Sequence, residues 1–437
     1  MDFTVVGGLG IVLLLTLLFL GLPIGITFLL VGLGGITYLL GPVAAISLLG
    51  ETLYSAISNP AVLVIPLFML MGAFGTEGGF AKRTYDAMHV IAARVPGSLA
   101  VATSFGSALF GAVSGSTLAS TVVFGKMAYP EMKKAGYDRP FALASIATAG
   151  TLACMIPPSS MFVLFAVFTN LSVGKLFMAG VLPGIVLAIV FAVYIILRAK
   201  YSPAMAPAAE FEKDVTLITR LKAVRGLWEI GILGFIIIGG LYTGLLTPVG
   251  AGACGALVAF LIGFFRGPLR RISPILNALR DTANGCAMLL FLIVGAIYFS
   301  RFLTISRLPM ELASFLQSWE VHSHFVLAAI FALWIFLGMI MTQVAVFVLT
   351  LPVLFPVVVA LGYDPIWFCV VAMVFNEIAA ISPPVGLNVF ALSGIAGDGT
   401  SIDEIFKGVW PFIICCLFVV ILLFFMPWLA TWLPSRM

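Results

Sequence analysis

The chain has 437 residues, of which 62% are hydrophobic and only 9% are charged, and its formal net charge is +4. A water-soluble domain of this size carries more charge, so the composition excludes a soluble protein and predicts an all-α polytopic membrane protein. So small a net charge gives no reason to expect a nucleic-acid partner.

The first apolar run, Phe3 to Leu20, follows no basic segment and has no clear cleavage site, so we interpret it as a membrane span rather than a signal peptide. Further along the chain, apolar runs alternate with charged loops. They predict about ten spanning helices, at residues 3–21, 22–40, 60–76, 141–170, 176–198, 228–246, 249–265, 283–305, 366–397 and 409–430. Two charged segments, 210–226 and 266–281, have the pattern of amphipathic arm helices on the membrane surface.

Two more apolar stretches, 97–125 and 325–356, are long but interrupted, and they decide the topology. If each is a re-entrant hairpin, which returns to the face it entered from, one face holds 18 of the 22 Lys and Arg residues. Those residues lie in loops 77–94, 126–139, 198–226, 266–281 and 398–407, whereas Lys175, Arg301, Arg307 and Arg436 remain on the other face. Because basic loops stay cytoplasmic, both termini are predicted to be periplasmic or extracellular.

Adjacent prolines interrupt two of the predicted spans, in "MIPPSS" (155–160) and "AISPPVG" (380–386). Proline inside a helix costs roughly 3 kcal/mol, and irregular backbone at membrane depth survives only inside protein or beside a wet cavity. We therefore predict that each span is broken into two half-helices, with proline in the first turn of the second. Such a break offers amides to an anion and carbonyls to a cation. A proline kink without a ligand is the alternative.

The two breaks belong to an internal repeat with an offset of 226 residues. "YPEMKKAGYD" ends at Asp138 and "FPVVVALGYD" ends at Asp364, and the Pro-Pro pairs keep the same offset. Because each half has five predicted crossings, the second half would enter the membrane in the opposite orientation. Inverted repeats of this kind are typical of secondary transporters, whose binding site lies where the two halves meet.

The hairpin tips and the breaks supply the candidate ligands. "FGAVSGSTLAS" (110–120) places Gly and Ser at the first tip, and Ser116 corresponds to Thr342 in the second hairpin. Hydroxyl and carbonyl oxygens suit Na⁺, although small residues also pack helices closely. A carboxylate within a span, as at Glu377, is a functional candidate, with a structural hydrogen bond across the break as the alternative. The predicted sodium ligands are Ser114, Gly115, Ser116, Thr117, Thr151, Ile156, Pro157, Thr342, Gln343, Glu377, Ser382 and Pro383. The predicted substrate ligands are Pro158, Ser159, Ser160, Pro384, Gly386 and Asn388.

The remaining reactive residue types form no other site. The six cysteines lie in apolar segments without a C-x-x-C pair, and we interpret them as small core residues. His322 and His324 lie in a predicted loop without further ligands, so no metal other than sodium is expected. Arg301 and Arg307 are expected to reach the membrane surface rather than to bind substrate. The sequence has no P-loop motif and no nucleophile–base arrangement, so we expect no enzyme activity.

The chain resembles the large membrane subunit of the tripartite ATP-independent periplasmic (TRAP) transporters over essentially its whole length. The motifs that carry the resemblance are, in chain order, "GAVSGSTLAST", "PEMKKAGYDRPFA", "TLACMIPPSSMFVLFAV", "GKLFMAGVLPG", "NEIAAISPPVGLNVFALSGIAG" and the closing "WLP". The resemblance implies a sodium-driven importer of organic acids, mostly carboxylates, in the bacterial inner membrane. It also implies two protein partners, a periplasmic substrate-binding protein and a separate small membrane subunit of four helices.

An elevator motion, in which hairpins and broken helices move against a scaffold, is a further implication of the resemblance. Scaffold helices would then occupy 1–95 and 227–322, transport-domain elements 96–198 and 323–437, and a cytoplasmic amphipathic linker 199–226. Family members often have an acidic residue after the "TP" at 247–248, and many have Asp where this chain has Thr342, so the second ion site is expected to differ in detail. The alternatives are a single-component sodium/dicarboxylate symporter and a passive channel.

Overall fold

The computed structural model describes residues 2–207, 215–318 and 322–437, and within them it contains helices and no strand. Residues 208–214 of the predicted linker lie outside the described residues, as do residues 319–321. The first half forms α1 (Phe3–Phe19), α2 (Ile24–Leu40), α3 (Pro42–Ser58), α4 (Pro60–Glu77), α5 (Phe80–Ala92), α6 (Ser98–Ser114), α7 (Thr117–Lys134), α8 (Arg139–Met155), α9 (Ser160–Thr169) and α10 (Val173–Tyr201). The second half forms α11 (Leu217–Val224), α12 (Trp228–Gly234), α13 (Gly240–Tyr242), α14 (Pro248–Arg266), α15 (Ile272–Ile305), α16 (Leu308–Ser318), α17 (Ser323–Gly338), α18 (Gln343–Ala360), α19 (Pro365–Ile381), α20 (Leu387–Ala396), α21 (Ile402–Phe425) and α22 (Trp428–Thr431).

Several of these helices have the length and composition of membrane spans. Among the described residues, seven helices are long and apolar enough to cross a membrane, or eight if the bent pair α8–α9 counts as one span. One of the seven is the continuous helix Leu217–Tyr242, which contains α11, α12 and α13. The apolar helices α1 and α2 are slightly shorter, at 17 residues each. The chain is therefore a multi-pass helical membrane protein, as the composition predicted.

The predicted surface helix at 266–281 is wrong as a separate element. Residues 272–281 continue without a break into the following span, so that α15 has 34 residues. At 1.5 Å per residue this helix is about 50 Å long, which exceeds the roughly 30 Å of hydrocarbon. In the first half the matching segment is two helices, α3 and α4, and α3 was not predicted. Asn59 separates them because its side chain accepts a hydrogen bond from the Ala61 amide and so starts α4.

The other predicted surface segment contains α11, which is amphipathic. Its apolar side chains Leu217, Ile218, Leu221 and Val224 are all exposed and lie at helical spacing. Arg220 points the other way and donates a hydrogen bond to the Ile91 carbonyl in α5. An apolar stripe that faces away from the protein is the expected pattern for a helix at a membrane surface. Like residues 272–281, however, α11 is not a separate element, because the helix continues to Tyr242 and has 26 residues.

The repeated "GYD" sequence ends one helix and starts the next in both halves. Gly136 and Gly362 have φ of 80° and 82°, a left-handed conformation that glycine adopts easily and that closes α7 and α18. Asp138 and Asp364 then cap α8 and α19, because their side chains accept hydrogen bonds from the amides three residues later, at 3.0 and 2.8 Å. These paired helices begin and end with the same offset of 226 residues, so the repeat extends from sequence to helix boundaries.

The first hairpin, α6–α7, packs closely against α8 through glycines. A Cβ on Gly111 would lie 2.3 Å from the Ala153 Cα, and a Cβ on Gly150 would lie 1.8 Å from the Thr121 Oγ1. Within the hairpin, the hydroxyls of Ser107 and Ser120 lie 2.9 Å apart. Small residues thus allow close approach of the three helices, as they do in other membrane proteins. This packing fixes the hairpin tip beside the first break.

Asp398, in the loop after α20, connects the two halves. Its side chain is only 8% exposed, accepts hydrogen bonds from Tyr129 and Thr400, and forms ion pairs with Lys133 at 3.1 Å and Arg139 at 3.8 Å. Burial alone would raise the pKa of Asp398, but the hydrogen bonds from Thr400, Tyr129 and Lys133 hold it well below its ordinary value. The carboxylate is therefore charged at neutral pH and holds the base of the first hairpin to the second half.

We expect Asp398→Ala to destabilise the purified protein by about 2 kcal/mol. The variant removes the charged acceptor of Tyr129, Thr400 and Lys133 and leaves these donors without a partner at this site. Since the native pKa is lowered, this contribution is fully present above pH about 4 and is lost as the pH falls further toward the native pKa. Thermal unfolding in detergent at several pH values measures it. Asp403→Ala, at an exposed acid in the first turn of α21, is the matched control. Equal melting temperatures for the two variants would contradict this role of Asp398.

Candidate functional site

Both Pro-Pro pairs lie in breaks between half-helices, as predicted. α8 ends at Met155 and α9 begins at Ser160 with a 45° bend, and α19 ends at Ile381 before α20 begins at Leu387. Both Pro-Pro peptide bonds are cis. The prediction that proline opens the second half-helix is wrong, because the prolines lie in the non-helical connections and Ser159 and Gly386 precede the new helices.

The tip of the first hairpin lies directly against the first break. Ser160 Oγ donates a 3.0 Å hydrogen bond to the Gly115 carbonyl, and the Cys154 thiol lies 3.7 Å from the same oxygen. Gly115 has a φ of 59°, and a Cβ there would lie 3.1 Å from the Pro158 carbonyl oxygen. Glycine is therefore required both by the backbone conformation and by the approach of the break.

The tip of the second hairpin meets the second broken span in a similar way. The Gln343 side-chain amide donates a 3.2 Å hydrogen bond to the Asn376 carbonyl. Thr342 and, in the first hairpin, Ser116 each accept a hydrogen bond from the amide three residues later and so cap α18 and α7. Each cap uses one lone pair of the hydroxyl, and a second lone pair remains for a ligand.

Two contacts join the halves at the level of the tips. Thr117 Oγ1, in the first hairpin, lies 3.2 and 3.3 Å from the carboxylate oxygens of Glu377 in the second half. Asn388, at the start of α20, donates a 3.2 Å hydrogen bond to the Ala147 carbonyl in α8. The sequence placed Glu377 with the second tip, whereas the structure places its carboxylate against the first tip as well.

An inner cavity of about 170 Å³ lies beside these contacts, formed by both hairpin tips, by α8 and α19, and by the starts of α9 and α20. Its polar lining comprises Ser116, Thr117, Cys154, Ser160, Thr342, Gln343 and Asn388. A second cavity of about 400 Å³ shares Ser116, Ser160 and Val344 with it and reaches Glu77 and Asp281 in α4 and α15. The inner cavity therefore adjoins a space that extends toward the face carrying Glu77 and Asp281.

Some predicted ligands lie elsewhere or have other partners. Thr151 and Ser382 donate hydrogen bonds to carbonyls of their own helices. Pro384 is exposed and lines neither cavity, whereas Ile156, Pro157 and Pro383 belong to the connections themselves. Gly386 is buried, has a φ of 50° and starts α20.

Three side chains near the breaks have buried polar atoms without a hydrogen-bond partner in the part of the chain that the structure describes. They are Ser114 and Ser159, through their hydroxyls, and Asn376, through both atoms of its amide. Buried polar groups are normally hydrogen-bonded, so a cluster of exceptions indicates atoms that bind something else. Asn376 was not among the predicted ligands, although a polar residue beside Glu377 within an apolar span was the available signal.

Known proteins are similar to this sequence along nearly its whole length. The family model described as "Tripartite ATP-independent periplasmic transporter, DctM component" matches residues 11–429. The chain belongs to this family. The similarity predicted from the motifs is thereby confirmed, and the DctM-family chain is one component of a tripartite transporter.

Among relatives of this DctM-family chain are three named C4-dicarboxylate TRAP transporter large permease protein DctM. The Pseudomonas aeruginosa protein is 33% identical over 404 residues, 92% of each chain. The Vibrio cholerae protein is 32% identical and covers 97% of this chain and 96% of its own. The Rhodobacter capsulatus protein is 32% identical and covers 100% of this chain and 99% of its own.

Solved structures of more distant transporters share the fold. The Alcanivorax borkumensis YdaH transporter superposes with a TM-score of 0.65 at 16% identity, over 90% of this DctM-family chain and 89% of its own. Neisseria gonorrhoeae MtrF superposes with a TM-score of 0.61 at 14% identity, over 88% and 84% of the two chains. At this identity the likeness concerns the fold alone.

Proposed function

We propose that this chain is the membrane permease of a sodium-gradient-driven importer of organic acids that depends on a binding protein. The observation that carries the proposal is the inner cavity, where two hairpin tips and two broken helices from the two halves converge. A site built where repeats meet, from interrupted helices, is the arrangement used by secondary transporters.

The donor atoms around the tips fit sodium. Hydroxyls of Ser114, Ser116 and Thr117, carbonyls of the breaks and the carboxylate of Glu377 are hard oxygen donors, which Na⁺ prefers. Glu377 is 1% exposed and forms no ion pair within the described residues. A Na⁺ bound beside Thr117 would balance an ionised Glu377. A cation at the first tip would also be coordinated by the unpartnered Ser114 hydroxyl oxygen. The symmetric position of Thr342 and Gln343 supports a second site in the other half.

The starts of α9 and α20 fit the anionic part of a substrate. Ser160 and Asn388 line the inner cavity at these helix N-termini, where free amides favour a carboxylate. The names of relatives support this class, since they include C4-dicarboxylate, isethionate and 2,3-diketo-L-gulonate transporters. The neighbouring cavity toward Glu77 and Asp281 would then be the exit path to the cytoplasm. The positions of the basic loops support this orientation, in which both termini are periplasmic.

The partners that we propose are a periplasmic binding protein and a small membrane subunit. The isethionate relative from Oleidesulfovibrio alaskensis is named DctMQ, and this chain matches only 63% of its length, which leaves room for a further membrane component in the same polypeptide. The hairpins and broken helices would move as one body against the scaffold helices, an elevator motion that the close packing of α6–α7 on α8 supports.

Reconstitution in liposomes tests the proposal. We expect the isolated chain to take up no measurable free dicarboxylate, because no receptor domain lies within the described residues. Uptake should appear when the small subunit and the loaded binding protein are added, should run uphill, and should stop when the sodium gradient is collapsed. Strong sodium-driven uptake by the chain alone would favour the single-component symporter, and downhill flux without sodium would favour the channel.

A further inference from the structure

A larger cavity lies apart from the inner cavity. This outer cavity, of about 490 Å³, lies between α3, the end of α9 and α15. Its size is that of a small-molecule pocket, and its polar lining comprises Glu51, Ser55, Asn59, Asn170, Ser300, Arg301 and Thr304. An adjoining cavity of about 230 Å³ shares Ser300, Thr304 and Phe168 with it and adds Arg307. Neither cavity includes a residue of the hairpin tips.

The charges around the outer cavity favour an anion. Arg301 Nη2 contacts Glu51 Oε1 at 2.9 Å. A guanidinium group has five N–H donors, so this one contact does not occupy most of them. Glu51 is 63% exposed, so its side chain can leave Arg301 at little cost. Arg307 forms no ion pair in the described ranges. Two arginines against one glutamate leave a net positive charge at the two connected cavities.

Arg301 and Arg307 lie on a face of the protein that has few other basic residues. Only four basic residues fall on the face predicted to be periplasmic, and two of them line the connected cavities. The expectation that Arg301 and Arg307 only reach the membrane surface is therefore incomplete, because each lines a cavity that also contains small polar groups. Guanidinium groups are well suited to carboxylates, which they can bind through two parallel hydrogen bonds.

We propose that the outer cavity is a binding site for the carboxylate of an organic acid, which replaces Glu51 on Arg301 before the acid reaches the inner cavity. This proposal rests on the proposed function in two respects: the ligand class, organic acids, and the orientation that places the outer cavity on the periplasmic side. It needs no sodium, because none of the candidate sodium ligands lines it. Glu51 would act as a competing internal anion that keeps Arg301 neutralised when no acid is bound.

Protection of an introduced cysteine from labelling tests this proposal in intact cells that express the full chain. Ser55→Cys places a thiol in the outer cavity, and Ser58→Cys on the same exposed helix lies outside it. Both are made with Cys254→Ser and Cys415→Ser, because these native thiols are exposed and half-buried, whereas the other four cysteines are buried. A membrane-impermeant maleimide is applied from outside in sodium-free buffer, with succinate as the probe and glycerol as the uncharged control.

We expect succinate to slow labelling at Ser55→Cys, but not at Ser58→Cys, while glycerol slows neither. Adding Arg301→Gln should raise the half-protecting succinate concentration about tenfold or more, as the loss of hydrogen bonds to a charged group predicts. Glu51→Gln should lower that concentration, and Lys175→Gln, which removes another cation from the same face, should leave it unchanged. Arg301→Lys retains the charge, so its half-protecting succinate concentration should lie between that of Arg301→Gln and that of the parent.

Three results would overturn the outer site: no labelling of Ser55→Cys from outside, no protection by succinate, or protection that survives Arg301→Gln. Sodium-driven uptake by the assembled transporter is measured with the same parent chain. Uptake without protection would overturn the outer site alone. Protection without sodium-driven uptake would support the outer site and would count against the proposed function.

Discussion

Ser116→Leu and Thr342→Leu are each expected to abolish sodium-dependent uptake of organic acid by the assembled transporter. Both residues start the second helix of a hairpin, and both line the inner cavity of about 170 Å³. Leucine adds three carbon atoms to this small space at position 116 and two at position 342, and at either tip it removes a hydroxyl oxygen. The tip could then no longer close on the polar groups of the breaks. Uptake driven by a sodium gradient in proteoliposomes measures the effect.

Two kinds of control separate this effect from misfolding. Leucine is favourable in a membrane, and loss of a helix cap costs about 1 kcal/mol, so both variants should insert and purify. Ser116→Ala loses the cap without adding bulk and should mainly raise the sodium concentration for half-maximal uptake. Ser323→Leu, at the far end of the second hairpin, should transport normally. Normal uptake with unchanged sodium dependence in both tip variants would show that the Gly and Ser residues only pack helices.

Much of the fold follows from local sequence signals. Charged loops and apolar runs placed most spans, and the Gly-Tyr-Asp repeat placed the matching starts of α8 and α19, because glycine and aspartate act at fixed positions around a helix end. The continuity of α15 could not be predicted from such local signals. Nothing local distinguishes an amphipathic surface helix from the polar first turns of a long helix. In the first half, by contrast, Asn59-Pro60 is a start signal that separates α3 from α4.

The candidate site was predictable in part for a similar reason. The tips and breaks carry Gly, Pro, Ser and Thr in patterns that local rules recognise, and the structure brings Gly115 to Ser160 and Gln343 to Asn376. The pairing of Thr117 with Glu377 joins residues 260 positions apart and depends on how the two halves pack. No periodicity encodes such a contact. The outer cavity was missed for the same reason, since Glu51 and Arg301 lie 250 positions apart.

Glu377→Gln is expected to abolish sodium-coupled uptake without destabilising the protein. A carboxylate within a span costs on the order of 3 kcal/mol, and Glu377 forms no ion pair within the described ranges. Replacing a buried carboxyl group that has no cationic partner with a neutral amide of the same shape breaks no ion pair, so it removes no stabilising charge contact. The melting temperature in sodium-free buffer should therefore stay the same or rise, even though transport is lost.

The sodium dependence of stability separates an ion ligand from a structural hydrogen bond at Glu377. An ion that binds only the folded protein stabilises it by about 2.7 kcal/mol at 100 times its dissociation constant, so sodium, compared with choline at equal ionic strength, should raise the wild-type melting temperature. Glu377→Gln should lose most of this rise. Thr117→Val should lose part of it and add little to Glu377→Gln in the double variant, because both residues contribute to one site. Thr103→Val, in the same hairpin but bonded to its own helix, is the matched control and should retain the full rise. If Glu377→Gln retains the full sodium-induced rise and normal uptake, the carboxylate only holds Thr117 in place and the ion must bind elsewhere.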